Sequence, residues 1–188
     1  MRFSVGVLLT SVGFINLAAL PALAQDPRAF TNKLAPYVAS PARVVDLMLE
    51  MARIKPGETV YDLGSGDGRI VIAAAEKYKA KAVGVEISPK LVAAATAEIE
   101  KAGLSGQARV MRGDVLQTDF SGADVVTMYL ETQLNAQLRP RLEKFLKPGA
   151  RVVSHDYPVP GWKAARVEKV DGRVMHTIYL YEIKPPKQ

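Results

Sequence analysis

Three glycines within five residues stand where a short β-rich run meets a run of helical spacing. Gly64, Gly66 and Gly68 directly follow the segment from Thr59 to Leu63. Glycine has no Cβ, so the backbone can turn tightly there and approach a ligand closely. In an open α/β sheet, ligands bind outside the carboxyl ends of the strands. The spacing therefore predicts a strand, a glycine turn and a helix that together bind a nucleotide-like ligand.

Acidic side chains at the next two predicted strand ends argue against an ordinary glycine-rich turn that binds nothing. Glu86 ends the second strand, where its carboxylate can accept hydrogen bonds from both hydroxyls of a ribose, each contributing about 1.5–3 kcal/mol. Asp114 follows the third strand, where it can accept from an adenine amino group while the N–H of Val115 addresses the ring. With Ile87 beside Glu86, these residues form the predicted nucleoside half of the site.

The order of glycines and acids indicates which nucleotide binds. Dinucleotide-binding turns read G-x-G-x-x-G and phosphate-binding loops read G-x-x-x-x-G-K-[ST], whereas this turn reads G-x-G-x-G and the second pattern does not occur. Asp67 lies inside the turn and Asp62 just before it, and an acidic loop repels pyrophosphate. It suits a ligand that brings an ammonium and a sulfonium, as S-adenosylmethionine does. The same pattern disfavours an oxidoreductase built on this kind of sheet.

Seven short β-rich runs alternate with helical runs and close on a hairpin. Strands that alternate with helices imply a parallel sheet covered on both faces, and the turn at Asp171-Gly172 predicts a terminal antiparallel hairpin. The predicted fold class is therefore α/β, a Rossmann-like doubly wound seven-stranded sheet that is mostly parallel. The predicted strands span residues 59–63, 82–87, 108–112, 123–130, 150–154, 165–170 and 174–183.

Composition narrows the chemistry further. The chain has 188 residues, 48% of them hydrophobic and 23% charged, so we expect one compact domain. It has no cysteine, which excludes disulfide scaffolds, cysteine-ligated zinc, iron–sulfur clusters and thiol catalysis. Its two histidines leave little for a histidine-based metal centre, and we expect no metal. The net charge of +6 suits an anionic partner or a membrane surface, but we expect no nucleic-acid partner, and a monomer.

The residues from Val60 to Ile72 read VYDLGSGDGRIVI, and with the acids at the next two strand ends they resemble class I, seven-β-strand S-adenosylmethionine-dependent methyltransferases. The resemblance covers about residues 36–183. A closer resemblance is to the small mitochondrial lysine methyltransferases that modify the ATP synthase c-ring protein and the adenine nucleotide translocase, and to their bacterial relatives. It rests also on Pro36-Tyr37-Val38 and on the aromatic segment from Tyr157 to Trp162.

The resemblance implies S-adenosylmethionine as cofactor and assigns the parts of its site. The glycine turn lines the methionine end of the cofactor, Glu86 holds the ribose, Asp114 reads the adenine and Tyr37 covers the cofactor from the N-terminal side. The cofactor-binding residues implied are Tyr37, Asp62, Gly64, Ser65, Gly66, Gly68, Glu86, Ile87, Asp114 and Val115.

Acceptor-side residues are expected after the fourth and fifth strands. Tyr129 and Glu131 follow the fourth strand, and His155 with Asp156 at the end of the fifth can provide a base and the group that orients it. We assign no role to His176. The favoured reaction is N-methylation of a protein lysine. Methylation of a small molecule and a non-catalytic adenosyl-cofactor-binding module in the cell envelope stay open as alternatives.

Residues 1–24 read as a targeting segment. A basic residue precedes an almost uninterrupted apolar run from Val5 to Leu20, and Ala22-Leu23-Ala24 matches a small-residue cleavage site. The run is short for a spanning helix, which needs about 20 residues, so a cleaved signal is favoured over an uncleaved membrane anchor. We expect an N-terminal extension over residues 25–39 and a methyltransferase domain over residues 40–188. The domain is then exported to the periplasm or cell envelope, or anchored to a membrane, where a membrane protein is a possible acceptor.

Overall fold

A computed structural model of the chain describes residues 37–185. Within this range, four helices and seven strands follow one another in the alternating order that the sequence predicts. They are α1 (Ala42–Met51), β1 (Thr59–Leu63), α2 (Arg69–Tyr78), β2 (Lys81–Glu86), α3 (Pro89–Lys101), β3 (Ala108–Arg112), β4 (Val125–Met128), α4 (Thr132–Phe145), β5 (Arg151–His155), β6 (Arg166–Val170) and β7 (His176–Glu182).

The seven strands form one sheet in the order β3-β2-β1-β4-β5-β7-β6. Strands β1 to β5 run parallel, and β7 pairs antiparallel with both β5 and β6. The order reverses between β1 and β4, and a doubly wound sheet opens a ligand-binding crevice at such a switch point. The structure confirms the predicted fold class.

Two apolar cores lie on the two faces of the sheet. Helices α1 to α3 contribute to the first core, with strand residues such as Val60 and Val153, and α4 contributes to the second, with residues such as Val126 and Val152. Val152 and Val153 are neighbours in β5 and both are fully buried. A strand buried on both faces is apolar at consecutive positions, as expected for a covered parallel sheet.

The predicted element bounds agree with the structure to within a few residues. β1 and β3 have the bounds predicted for them. β4 is shorter than the predicted run over residues 123–130, because its pairing with β1 and β5 covers only four residues. α4 begins at Thr132 and continues through Pro140.

The two serine–proline helix starts behave differently. Ser88 accepts a hydrogen bond from the N–H of Leu91 at 3.4 Å, as an N-cap residue does. Ser40 caps nothing, because α1 begins one residue later, with Pro41 in the N-cap position and no side-chain cap. The hydroxyl of Ser40 instead contacts His155, a buried histidine of β5.

The signal or anchor over residues 1–24, and most of the extension over residues 25–39, lie outside the described residues. Between residues 37 and 185, none of the helices combines the length and the apolar character that crossing a membrane requires. The predictions of export, anchoring and a domain start at residue 40 therefore stay predictions.

Gly57 and Gly68 allow the packing of α2 to be tested. Both have a positive φ, 83° and 79°, but a Cβ on Gly57 would meet nothing within 4 Å, whereas one on Gly68 would lie 2.9 Å from the Cβ of Ala95. An alanine at positive φ is destabilising by about 1–2 kcal/mol. We expect Gly57→Ala to lower the free energy of unfolding by about that amount, and Gly68→Ala by clearly more, because α2 must also move away from α3. Urea unfolding of both variants measures the difference, and equal losses would contradict close packing at Gly68.

Candidate active site

A pocket opens at the carboxyl ends of β1, β2 and β4, where the strand order reverses. It encloses about 1010 Å³ of empty space, including its opening to solvent. The pocket brings together most of the residues predicted from the sequence: Tyr37, Asp62, Gly64, Ser65, Gly66, Glu86, Ile87, Asp114, Val115 and Tyr129.

The glycine turn is folded back on β2 rather than open toward an anion. The N–H groups of Gly64 and Ser65 both donate to the carbonyl of Val85, at 2.9 and 3.0 Å. The next N–H, that of Gly66, donates to Glu86 at 2.9 Å. Phosphate-binding turns aim such N–H groups at the ligand, so this turn does not suit a pyrophosphate. Its backbone geometry agrees with the class of cofactor predicted from its acids.

Glu86 is buried and its two oxygens are oriented by the backbone. One oxygen accepts from the N–H of Gly66 at 2.9 Å and the other from the N–H of Ser88 at 2.8 Å. A carboxylate offers about four lone-pair sites. Since Glu86 lines the pocket, the remaining lone pairs of both oxygens are available to a diol such as that of a ribose.

Asp62 is a buried acid on the pocket wall. Burial raises its pKa to about 7, although the hydroxyl of Thr127 donates to it at 2.7 Å and works in the opposite direction; the nearby charges of Glu86 and Asp67 raise it further. A cationic group placed beside Asp62 would favour the ionised carboxylate. A cationic ligand would therefore shift Asp62 toward its ionised form.

The acidity of the turn is smaller than the sequence suggests. The guanidinium of Arg69 lies 2.6 Å from Asp67 and also donates to the backbone carbonyl of Ser40 at 2.7 Å. The hydrogen bond from Arg69 holds the pKa of Asp67 below its usual value. Asp67 is therefore neutralised within the protein, and its predicted repulsion of pyrophosphate is weaker than expected. The charge free to act on a ligand belongs to Asp62 and Glu86.

Tyr37 lies against the glycine turn. A Cβ on Gly66 would come within 2.4 Å of the Tyr37 ring, so the absence of a side chain at Gly66 makes room for the ring. Burial raises the pKa of Tyr37, and its contact with Asp67 adds to the effect. The ring is half exposed and borders the pocket. That it covers a cofactor there stays a prediction.

Asp114 and Ser65 line the pocket, and some of their polar atoms contact other parts of the protein. Asp114 accepts from the N–H of Leu116 at 2.8 Å and from the side chain of Gln117 at 3.3 Å. The hydroxyl of Ser65 has no hydrogen-bond partner in the described part of the chain. It packs on the backbone of Gly84. Asp114 keeps lone pairs for a ligand, whereas the N–H of Ser65 is taken by Val85 and its carbonyl by the N–H of Gly68.

Three predicted site residues do not line the pocket. Gly68 is the N-cap residue of α2 and faces Ala95, so its lack of a side chain serves helix packing. Glu131 is exposed at the start of α4 and forms no cap. His155 is fully buried behind Tyr129. These positions do not fit a direct contact with cofactor or substrate.

His155 is also a poor base. Burial lowers its pKa to about 4; the charge of Asp156 opposes this shift, and His176 adds to it. Its ring stacks on Tyr129 with centroids 3.8 Å apart. Its Nδ1 lies 2.9 Å from the hydroxyl of Ser40 and its Nε2 lies 2.9 Å from Nδ1 of His176. The imidazole is therefore neutral near pH 7 and positions its neighbours.

His176 is a site residue that the sequence interpretation missed. Its Nδ1 lies 3.0 Å from Oδ2 of Asp156, which also lies 3.3 Å from Nε2 of His155. Three potential metal ligands thus converge, but hydrogen bonds account for the arrangement. We assign a proton to Nδ1 of His176 because a carboxylate at Asp156 can only accept; Nε2 of His155 then accepts as well, and Nδ1–H of His155 faces the hydroxyl of Ser40. The only signal in the sequence was a histidine near the start of the run predicted over residues 174–183, in the terminal hairpin.

The comparisons with known proteins agree with this geometry. Residues 62–166 match the family described as "ANTKMT methyltransferase domain". A protein-lysine N-methyltransferase of Saccharolobus islandicus is 51% identical over 150 residues, which cover 79% of this chain and 93% of the relative. The Mus musculus adenine nucleotide translocase lysine N-methyltransferase is 38% identical over 148 residues, which cover 79% of this chain and 63% of the relative.

A solved structure extends the similarity to three dimensions. The structure of an RNA methyltransferase from Salinibacter ruber in complex with S-adenosyl-L-homocysteine has a TM-score of 0.76 and 42% identity, covering 80% of this chain and 97% of the other. Fold and site thus define a class I methyltransferase that depends on S-adenosylmethionine, as predicted. Within that class, the chain belongs to the ANTKMT methyltransferase family.

The raised pKa of Asp62 predicts a specific dependence of stability on pH. The folded protein keeps the Asp62 proton up to about pH 7, whereas the unfolded chain loses it near pH 4. Since the folded state binds more protons between these values, the contribution of Asp62 to stability falls as the pH rises from about 4 to 7. We expect Asp62→Asn to unfold at a higher temperature than wild type at pH 8, and by a clearly smaller margin at pH 5, where less of the loss has occurred.

Asp67→Asn is the matched control, because the pKa of the Asp67 carboxyl in the wild-type protein is lowered rather than raised. It removes a favourable ion pair, so its melting temperature at pH 8 should fall below that of wild type. Calorimetry of the ligand-free proteins measures both. A uniform shift of Asp62→Asn at both pH values would contradict the buried, protonated acid.

Proposed function

We propose that this enzyme transfers the methyl group of S-adenosylmethionine to the side-chain amine of a lysine in a protein. The observation that carries the proposal is the 51% identity to a protein-lysine N-methyltransferase over nearly that relative's whole length. The Mus musculus relative is named as a lysine methyltransferase as well. The same reaction in this chain agrees with a pocket in which carboxylates and an aromatic wall face the ligand.

Different residues of the pocket fit different parts of the cofactor. Glu86 binds the ribose hydroxyls with the lone pairs that Gly66 and Ser88 leave free. Asp114 and Val115 face the adenine beside Ile87. Asp62 and the turn Gly64-Ser65-Gly66 face the cationic methionine end, and Tyr37 covers it. Each assignment rests on the position of the residue in the pocket, and for Glu86 and Asp114 also on lone pairs that the protein leaves free.

When bound, S-adenosylmethionine supplies an activated methyl group, which an amine takes by forming an N–C bond as the C–S bond breaks and its electron pair stays on sulfur. The protein contributes proximity and orientation. A lysine ammonium has a pKa of about 10.4 and must lose a proton before it can attack. Neutral His155 is unsuited to take that proton, so we propose that water takes it and that Tyr129 contacts the amine.

We further propose that the methyl acceptor is associated with a membrane. The apolar run from Val5 to Leu20 supports an address at the cell envelope, through a cleaved signal or an uncleaved anchor. One relative is named for the adenine nucleotide translocase, and a membrane protein of that kind suits an enzyme held near a membrane. We further propose that the enzyme acts as a monomer, because all predicted cofactor contacts come from one chain.

A methylation assay with four acceptors tests the proposed function. The full chain is incubated with radiolabelled S-adenosylmethionine and with detergent-solubilised adenine nucleotide translocase, bulk histones, total tRNA or free lysine. Methyl-lysine in acid hydrolysates of either protein is expected. Label in tRNA alone would favour the activity for which the Salinibacter ruber protein is named, label in free lysine alone would favour a small-molecule enzyme, and cofactor binding without any transfer would favour a binding module.

Replacement of Glu86 tests the assignment of the ribose site. Glu86→Gln keeps the size of the side chain but removes its charge, and charge-assisted hydrogen bonds contribute about 1.5–3 kcal/mol each. We expect the dissociation constant for S-adenosylhomocysteine, measured calorimetrically, to rise about 10- to 100-fold. Glu100→Gln on the exposed end of α3 is the matched control and should bind like wild type. Unchanged affinity of Glu86→Gln would remove Glu86 from the cofactor site.

A further inference from the structure

We propose that His155, Asp156 and His176 form a zinc site that ties β5 to β7. The ligand atoms are Nε2 of His155, Oδ2 of Asp156 and Nδ1 of His176, which lie close together. None of the three residues belongs to the described pocket lining, so the site is separate from the one that binds the cofactor. The expectation of no metal considered the number of histidines and not where the fold brings them. The inference goes beyond the proposed function and does not depend on it.

The three ligand atoms are spaced nearly as a zinc ion requires. Nδ1 of His176 lies 2.9 Å from Nε2 of His155 and 3.0 Å from Oδ2 of Asp156, and these last two atoms lie 3.3 Å apart. Ligands about 2.0–2.1 Å from a tetrahedral zinc ion are about 3.3–3.4 Å from one another. Two of the three separations therefore need to lengthen by less than about 0.5 Å, which small side-chain rotations supply.

Hydrogen bonds alone leave one unfavourable contact in the cluster. A carboxylate at Asp156 only accepts, and Nε2 of His155 accepts as well, because its Nδ1–H faces the hydroxyl of Ser40. These two acceptors lie 3.3 Å apart, and the one proton near both of them belongs to His176. Buried lone pairs without a full partner are costly. The cluster thus has three lone-pair atoms and one proton, and a divalent cation would satisfy all three.

The outer contacts of the ligands match those of metal sites. A metal-bound histidine usually donates its other ring N–H, and a metal-bound carboxylate accepts further hydrogen bonds. Nδ1–H of His155 faces Ser40 at 2.9 Å, and Oδ1 of Asp156 accepts from the N–H of Thr177 at 2.8 Å. Both ligands are therefore oriented before the ion arrives.

The backbone holds the ligands in place and leaves a path for the ion. β7 pairs antiparallel with β5, which brings its first residue, His176, beside the end of β5. Asp156 has a φ of 57°, and a non-glycine residue keeps that left-handed conformation only where its surroundings hold it there. The side chain of Asp156 is 25% exposed, whereas that of His155 is fully buried, so the ion enters past the carboxylate.

The set of ligand atoms indicates which metal binds. Two imidazole nitrogens and a carboxylate oxygen suit Zn²⁺, which in open sites takes three protein ligands and a water. Ca²⁺ and Mg²⁺ prefer full shells of oxygen ligands. When zinc binds, the proton on Nδ1 of His176 moves through solvent to Nε2 of the same ring. Both imidazoles stay neutral, and no proton is released.

Zinc titration of the full chain tests the site. The protein is freed of metal by dialysis against EDTA and titrated calorimetrically with zinc chloride. One zinc ion should bind to each chain with a dissociation constant of about 1 μM or below. At free zinc about 100-fold above that constant, the melting temperature should rise by about 5–10 °C. Cobalt chloride should produce the visible absorption bands of tetrahedral Co²⁺.

His176→Asn separates metal binding from hydrogen bonding. The amide nitrogen of asparagine takes nearly the place of Nδ1 and can donate to Asp156 and His155, but it has no lone pair for zinc. We expect its zinc affinity to fall by more than about 100-fold, while circular dichroism shows an unchanged fold. Ser40→Ala removes the partner of one ligand and should weaken binding about 10- to 100-fold. Asp171→Asn, at an exposed acid between β6 and β7, is the matched control and should bind like wild type.

Each outcome decides the inference. No zinc binding by wild type would overturn it, and so would binding that His176→Asn leaves unchanged, because the ion would then lie elsewhere on the protein. If His176→Asn does not fold, unchanged binding by Ser40→Ala would overturn the inference, as would octahedral cobalt bands in wild type. No step of the test involves methyl transfer. Failure of the zinc site therefore leaves the proposed function standing, and failure of lysine methylation leaves the zinc site standing.

Discussion

The hydrogen bond from the N–H of Gly66 to Glu86 is the interaction on which the cofactor pocket depends. It joins the turn after β1 to the end of β2, and it keeps the turn folded back on the sheet instead of open to an anion. Because Gly66 has no side chain, the ring of Tyr37 can lie against the same turn. This hydrogen bond therefore helps to fix the turn and to orient Glu86, and the missing side chain of Gly66 leaves room for the covering aromatic ring.

The pocket also brings carboxylates close enough to repel one another. Asp62 and Glu86 are both buried on the same wall, and their mutual repulsion adds to the effect of burial on Asp62. The guanidinium of Arg69 neutralises the charge of Asp67. It is hydrogen-bonded to Asp67 and to the backbone carbonyl of Ser40. A cationic ligand relieves the remaining repulsion, which explains physically why such a turn selects a sulfonium and ammonium compound over a pyrophosphate.

The cofactor half of the site could be predicted from the sequence because its residues are placed by local rules. Glycines after a strand and acids at the next strand ends occupy positions that the alternation of β and α elements brings to one edge. The sequence interpretation gave Asp67 too much weight as a free negative charge. Arg69 stands two residues away, and its ion pair with Asp67 neutralises that charge. Gly68 was assigned to the ligand although its place at the start of α2 serves packing.

The acceptor half could not be predicted in the same way, because long-range contacts determine it. Ser40 and His155 are 115 residues apart in the chain, and nothing local to Ser40 reveals that a histidine binds its hydroxyl. His155 and Asp156 were expected to act as a base and its orienting group. Burial makes His155 neutral, so the same pair instead fixes the hydroxyl of Tyr129. A basic imidazole needs solvent or an uncompensated acid beside it, and the pairing of β7 with β5 leaves His155 neither. The buried hydrogen bonds therefore hold the phenol of Tyr129 in place, and the neutral imidazole beside it is not suited to remove a proton.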